Sequence, residues 1–92
     1  MTQTADEMVT HHNFMANVMV DVQAEITRAV KQHGPIPTLH TAYGLLMEEV
    51  DEFWDEVKKK AENRTKLQIR EELVQIAAIA CRAVYDFTRP EA

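Results

Sequence analysis

Residues 73–81, LVQIAAIAC, carry apolar side chains around nearly the whole circumference of a helix, and a helix that is hydrophobic on every side must be surrounded by other helices. Working outward, the chain has 92 residues, two glycines and three prolines, 46% apolar and 27% charged residues. That is room for one soluble domain, 1–92, built from a few long helices rather than a many-turned sheet.

Three helices can be read from periodicity. The first runs from about Asp6 to His33, with Met8, Met15, Met19, Val22, Ile26 and Val30 as its apolar stripe. Gly34 caps it, and Pro35 and Pro37 enforce an extended link. Thr38 caps the second helix, expected to continue to about Asn63 with Leu39, Tyr43, Leu46, Val50, Phe53 and Val57 as its core stripe. After a polar turn near Asn63 to Thr65, the third helix ends near Phe87, before Pro90.

Two flanking helices cannot enclose the third in so short a chain. A first helix spanning about 42 Å at 1.5 Å per residue also makes a poor monomer. The expectation is a homodimer or homotetramer whose shared core includes the small-residue ladder Ala77, Ala80 and Ala83.

A net charge of −5 argues against stable nucleic-acid binding. No stretch reads as a membrane span or leader, which points to the cytoplasm. The lone Cys81 reads as a buried, inert thiol in a reducing compartment. His11 and His12 lack the pattern of a zinc site, no Glu-x-x-His suggests a di-iron bundle, and no Walker loop occurs. His40 reads as structural.

The chemistry-bearing residues are acidic. In LMEEVDEFWDEV, residues 46–57, Glu49, Glu52 and Glu56 share one helical stripe, and Glu72 and Gln75 repeat the spacing on the next helix. Carboxylates so gathered repel one another unless a cation sits among them, which suggests an oxygen-ligand site for Mg²⁺, with Mn²⁺ as its substitute.

Glu-x-x-Glu on one helix, followed about 20 residues later by Glu-Glu-Leu at the start of an apolar helix, resembles the MazG-like, all-α nucleoside triphosphate pyrophosphohydrolases. The resemblance covers roughly Met15 to Tyr85. Glu49 and Glu52 match the family's first acidic pair and Glu72 its third acid, while Gln75 stands where the family has Asp.

The resemblance implies an oligomeric helical bundle that splits a nucleoside triphosphate into monophosphate and pyrophosphate. It implies Glu49, Glu52 and Glu72 as metal ligands with Gln75 beside them, and Glu48 joining Glu49, Glu52 and Glu72 in catalysis. Glu48, Glu56 or Glu71 would orient water or support the ligands. Glu56, Lys59, Arg70 and Trp54 are the candidate substrate contacts, the two cations for polyphosphate and the indole for a base. A reading from another class is a noncatalytic helical module that binds a nucleotide or a protein partner.

Overall fold

A computed structural model describes residues 4–91, without the side chains at positions 6, 7, 9 and 10. Among the described residues the chain is all helical, with α1 at Ala5–His33, α2 at Leu39–Lys58, a 3₁₀ turn at Ala61–Asn63 and α3 at Lys66–Thr88. The three expected helices are therefore present. None is long and apolar enough to cross a membrane.

The helix ends follow local chemistry. Gly34 adopts φ +71° and donates its N–H to the Val30 carbonyl at 2.8 Å, a left-handed cap that a side chain would strain. The Thr38 hydroxyl accepts from the Thr41 N–H at 3.0 Å, and Thr65 accepts from Gln68 N–H at 3.1 Å. The second helix stops at Lys58 rather than near Asn63. Lys59 is extended with ψ 150°, and its ammonium folds back onto Glu56 at 2.8 Å. The Arg64 guanidinium donates to the Val57 carbonyl, so the early end leaves that terminal acceptor satisfied.

α3 is the middle helix. α1 and α2 each pack against it and, among the described residues, not against each other. Asp21 meets Arg70 and Gly34 meets Arg82, so α1 runs parallel to α3. Glu49 faces the α3 turn of Gln75, Ala78 and Ile79, whereas Phe53 and Glu56 face Ile69, so α2 runs antiparallel. At the far end the Ile36 N–H donates to Asp86 at 2.9 Å, and Arg82 donates to the Gly34 carbonyl at 3.2 Å. These two bonds fasten the link between α1 and α2 onto α3.

The packing is thin. The buried apolar side chains among the described residues are Val22, Ala29, Ile36, Ala42, Ala78 and Ile79, and no large side chain is fully buried. A 92-residue domain should have a radius of gyration of about 12 Å. The observed value is 16.0 Å, with extents of 46 × 34 × 22 Å.

The apolar stripe expected to be the core of α2 is corrected by this arrangement. Ala42, Leu45, Glu49, Phe53 and Glu56 occupy the side toward α3, while Leu39 and Tyr43 are 66% and 68% exposed and Val50 and Val57 face solvent. Likewise, of the expected α1 stripe Val22 is buried and Ile26 half-buried, while Met8, Met15, Met19 and Val30 are exposed. Cys81 is exposed rather than buried. In the expected alanine ladder, Ala80 is exposed and Ala77 and Ala83 are half-buried.

Candidate metal centre

Helical spacing puts Glu49 and Glu52 one turn apart on α2, and the antiparallel register of α3 brings Glu72 opposite them. Each offers a carboxylate oxygen, and the three oxygens lie within 4.8 Å of one another. Glu52 is exposed, and Glu49 and Glu72 are half-buried. The spacing puts Glu49, Glu52 and Glu56 on one stripe and the resemblance groups Glu49, Glu52 and Glu72; the structure brings the carboxylates of the latter three together.

Three like charges at this distance must be neutralised. Burial pushes the Glu49 carboxyl up to about 7, and hydrogen bonding with Glu52 and the charges of Glu52, Glu72 and Glu48 push the same way. Burial likewise holds Glu72 above the ordinary glutamate range, followed by Glu52, Glu56 and Glu71. One oxygen each of Glu49, Glu72 and Glu56 is buried without a hydrogen-bond partner. Buried polar atoms are nearly always satisfied, so unmet acceptors clustered on acids identify a place where a proton, a water or a cation belongs.

The remaining candidates fall at different distances from this cluster. Glu48 and Glu71 are exposed beside it, and each adds to the charge felt by a cluster acid. Glu56 is 8% exposed and accepts from Lys59 through its other oxygen. Gln75 is half-buried one turn beyond Glu72 and lines, with Glu49, a small cavity of about 110 Å³.

Arg70 points to the opposite flank of α3. It forms two hydrogen bonds to Asp21, at 2.7 and 2.9 Å, and its guanidinium lies 5.1 Å from the Phe14 ring centre. Trp54 is 56% exposed on the outer side of α2, away from α3.

Sequence reasoning missed the residues that wall the Glu49 cavity from α1 and the end of α3. Glu25, Arg28, His33 and Arg82 all line it. Arg28 holds Glu25 below its usual range through a hydrogen bond, and the Arg82 charge adds to that. Arg82 is 8% exposed, with its Nε buried and unpartnered. The one signal available was an arginine inside the apolar run IAAIACRAV, where a charge calls for burial with a partner.

Set against known proteins, the chain matches no family model, no curated protein and no solved structure.

Proposed function

We propose that this chain is a Mg²⁺-dependent nucleoside triphosphate pyrophosphohydrolase of the MazG-like kind, working as a homo-oligomer in the cytoplasm. The observation that carries the reading is the convergence of Glu49, Glu52 and Glu72 from two helices, with buried carboxylate oxygens left unpartnered. A hard cation with oxygen ligands fits this donor set. Sulfur and nitrogen donors are absent from the cluster.

In this reading Glu49, Glu52 and Glu72 hold the cation, with the Gln75 amide oxygen as a neutral donor beside them. Bound there, Mg²⁺ supplies charge stabilisation at the phosphate oxygens. The chain's own groups do the rest. Glu48, exposed next to the cluster, takes a proton from the water that attacks the α-phosphorus. That water's oxygen bonds to phosphorus as the bond to the bridging α–β oxygen breaks, giving monophosphate and pyrophosphate. Glu56 keeps Lys59 at the C-terminal end of α2, where its ammonium can trade a carboxylate for polyphosphate oxygen. Arg70 would have to exchange Asp21 to do the same.

The test is pyrophosphate release across the eight common nucleoside triphosphates, with Mg²⁺ and with chelator. Release from at least one, abolished by chelator and by Glu52→Gln, is the expected result. No release from any of them would overturn the hydrolase and leave the helical binding module.

A further inference from the structure

The cavity of about 110 Å³ beside Glu49 is walled by all three helices, with Ala29 of α1, Leu45 of α2, and Ala78 and Ile79 of α3 supplying its apolar sides. Arg82 lines it as well. This arginine is 8% exposed, one terminal nitrogen donates to the Gly34 carbonyl at 3.2 Å, and its Nε–H is buried with no acceptor. A buried donor on a guanidinium already anchored elsewhere cannot turn to water, so it costs stability until an acceptor meets it. No step of the hydrolysis above uses it.

We propose that this cavity is a base pocket that selects pyrimidine nucleotides, in which Arg82 donates from Nε to a ring carbonyl oxygen. The inference rests on the nucleotide reading above and adds which base it takes.

Size excludes purines. A cavity of about 150 Å³ takes a benzene ring, so 110 Å³ leaves room for one six-membered ring and not for a fused pair. Hydrogen bonding then selects among single rings. Cytosine, uracil and thymine all carry a carbonyl between the two ring nitrogens, an acceptor that completes Arg82, whereas a ring without one would leave the buried donor unpaired.

Position agrees with this assignment. Ten residues separate Glu72 from Arg82, about 15 Å of helix at 1.5 Å per residue, and the backward lean of helical side chains shortens that span. A ribose bridges it, between a phosphate at Glu72 and a base at Arg82. Beside the cavity a wider cleft of about 400 Å³ shares its Glu25, Arg28 and Gln75 walls and gives the sugar room.

The α,β-methylene triphosphates of cytidine, uridine, adenosine and guanosine cannot be split at the α–β bond, so calorimetric titration of the full chain with each, in Mg²⁺, tests the pocket without catalysis. The pyrimidine analogues should bind at least about tenfold more tightly than the purine ones. Arg82→Ala should reduce that preference to less than about threefold. Leu45→Ala takes bulk from one wall and should also shrink the preference, by tightening the purine analogues.

Equal affinities for all the analogues, a purine preference, or a pyrimidine preference that both variants keep would overturn the proposal. If Arg82→Ala does not fold, Leu45→Ala decides. Pyrimidine-selective binding without hydrolysis of any triphosphate would sink only the enzyme. Pyrophosphate release with no base preference would sink only this pocket, and failure of every analogue to bind would remove both.

Discussion

Glu49 and Glu72 stand on antiparallel helices, their carboxylate oxygens within 4.8 Å of each other, and each keeps one buried oxygen that no hydrogen bond satisfies. Both carboxyls are pushed toward the protonated form, with burial as the first cause. The fold thus holds two acids, each with a buried oxygen that no donor from the chain satisfies. A cation would relieve the repulsion and supply the missing partner together.

Metal binding to the folded state alone raises its stability by mass action. At about a hundredfold excess over Kd this contributes about 2.7 kcal/mol, which is on the order of 10 °C in Tm for a domain of this size. Scanning calorimetry with and without Mg²⁺ should show such a rise for the unmodified chain. Glu52→Gln should lose it with a metal-free Tm no lower than that of the unmodified chain, because the exposed Glu52 side chain makes little core contact and loss of its charge relieves the repulsion on Glu49 and Glu72. Equal Mg²⁺ shifts in both proteins would count against the site.

The pH dependence follows from Glu49. Its carboxyl, ordinarily near 4.5, is raised to about 7 in the folded chain. Between those values the folded state keeps a proton that the unfolded state releases, so the stability tied to this group is complete below 4.5 and is lost as pH rises through 7. Without metal, Glu49→Gln should therefore gain Tm relative to the unmodified protein as pH goes from 5 to 8. Partial exposure tempers the size of the effect but not its sign. Mg²⁺ affinity should show the converse, weakening below pH 7 as protons compete for the ligands. A Tm difference that stays flat across this range would contradict the assignment.

How much of this was legible depends on what each signal encodes. The i,i+3 spacing of Glu49 and Glu52 fixes their common face whatever the surroundings, so that pair could be read before the structure, whereas Glu72 entered through the acidic pattern the sequence resembles and Glu56, on the same stripe, lies outside the cluster. Caps at Gly34 and Thr38 are equally local. The outward placement of Leu39, Tyr43 and Val50 was not legible. Periodicity says that a stripe is apolar, not which neighbour covers it, and α2 carries two adjacent apolar sides. The cavity wall of Glu25, Arg28 and Arg82 was hidden for a related reason, since it depends on the parallel register of α1 against α3.

The link between α1 and α2 depends on Asp86. Its carboxylate accepts from the Ile36 N–H at 2.9 Å in a part-buried position, and losing a charged hydrogen-bond partner there costs about 1.5 to 3 kcal/mol. Asp86→Ala should lower Tm accordingly. Because the link lies at the far end of α3 from Glu72, the Mg²⁺-induced shift should be unchanged. A variant that melts normally but loses the metal response would mean that Asp86 serves the site.

Gln75 is the position at which the chain departs from the acidic pattern it resembles, and it borders the Glu49 cavity from half-buried ground. If its amide oxygen supports the cation, Gln75→Asp replaces a neutral donor with a charged one and should tighten Mg²⁺ binding. Half-maximal pyrophosphate release would then move to lower Mg²⁺ concentration. In the absence of metal the same substitution adds a fourth carboxylate beside Glu49 and Glu72, so it should lower Tm through repulsion and desolvation. The two effects have opposite signs and one titration reads both: metal-free Tm falls, and the Mg²⁺-induced rise grows. A lower metal-free Tm with no larger Mg²⁺ response would make Gln75 a packing residue and confine the site to Glu49, Glu52 and Glu72.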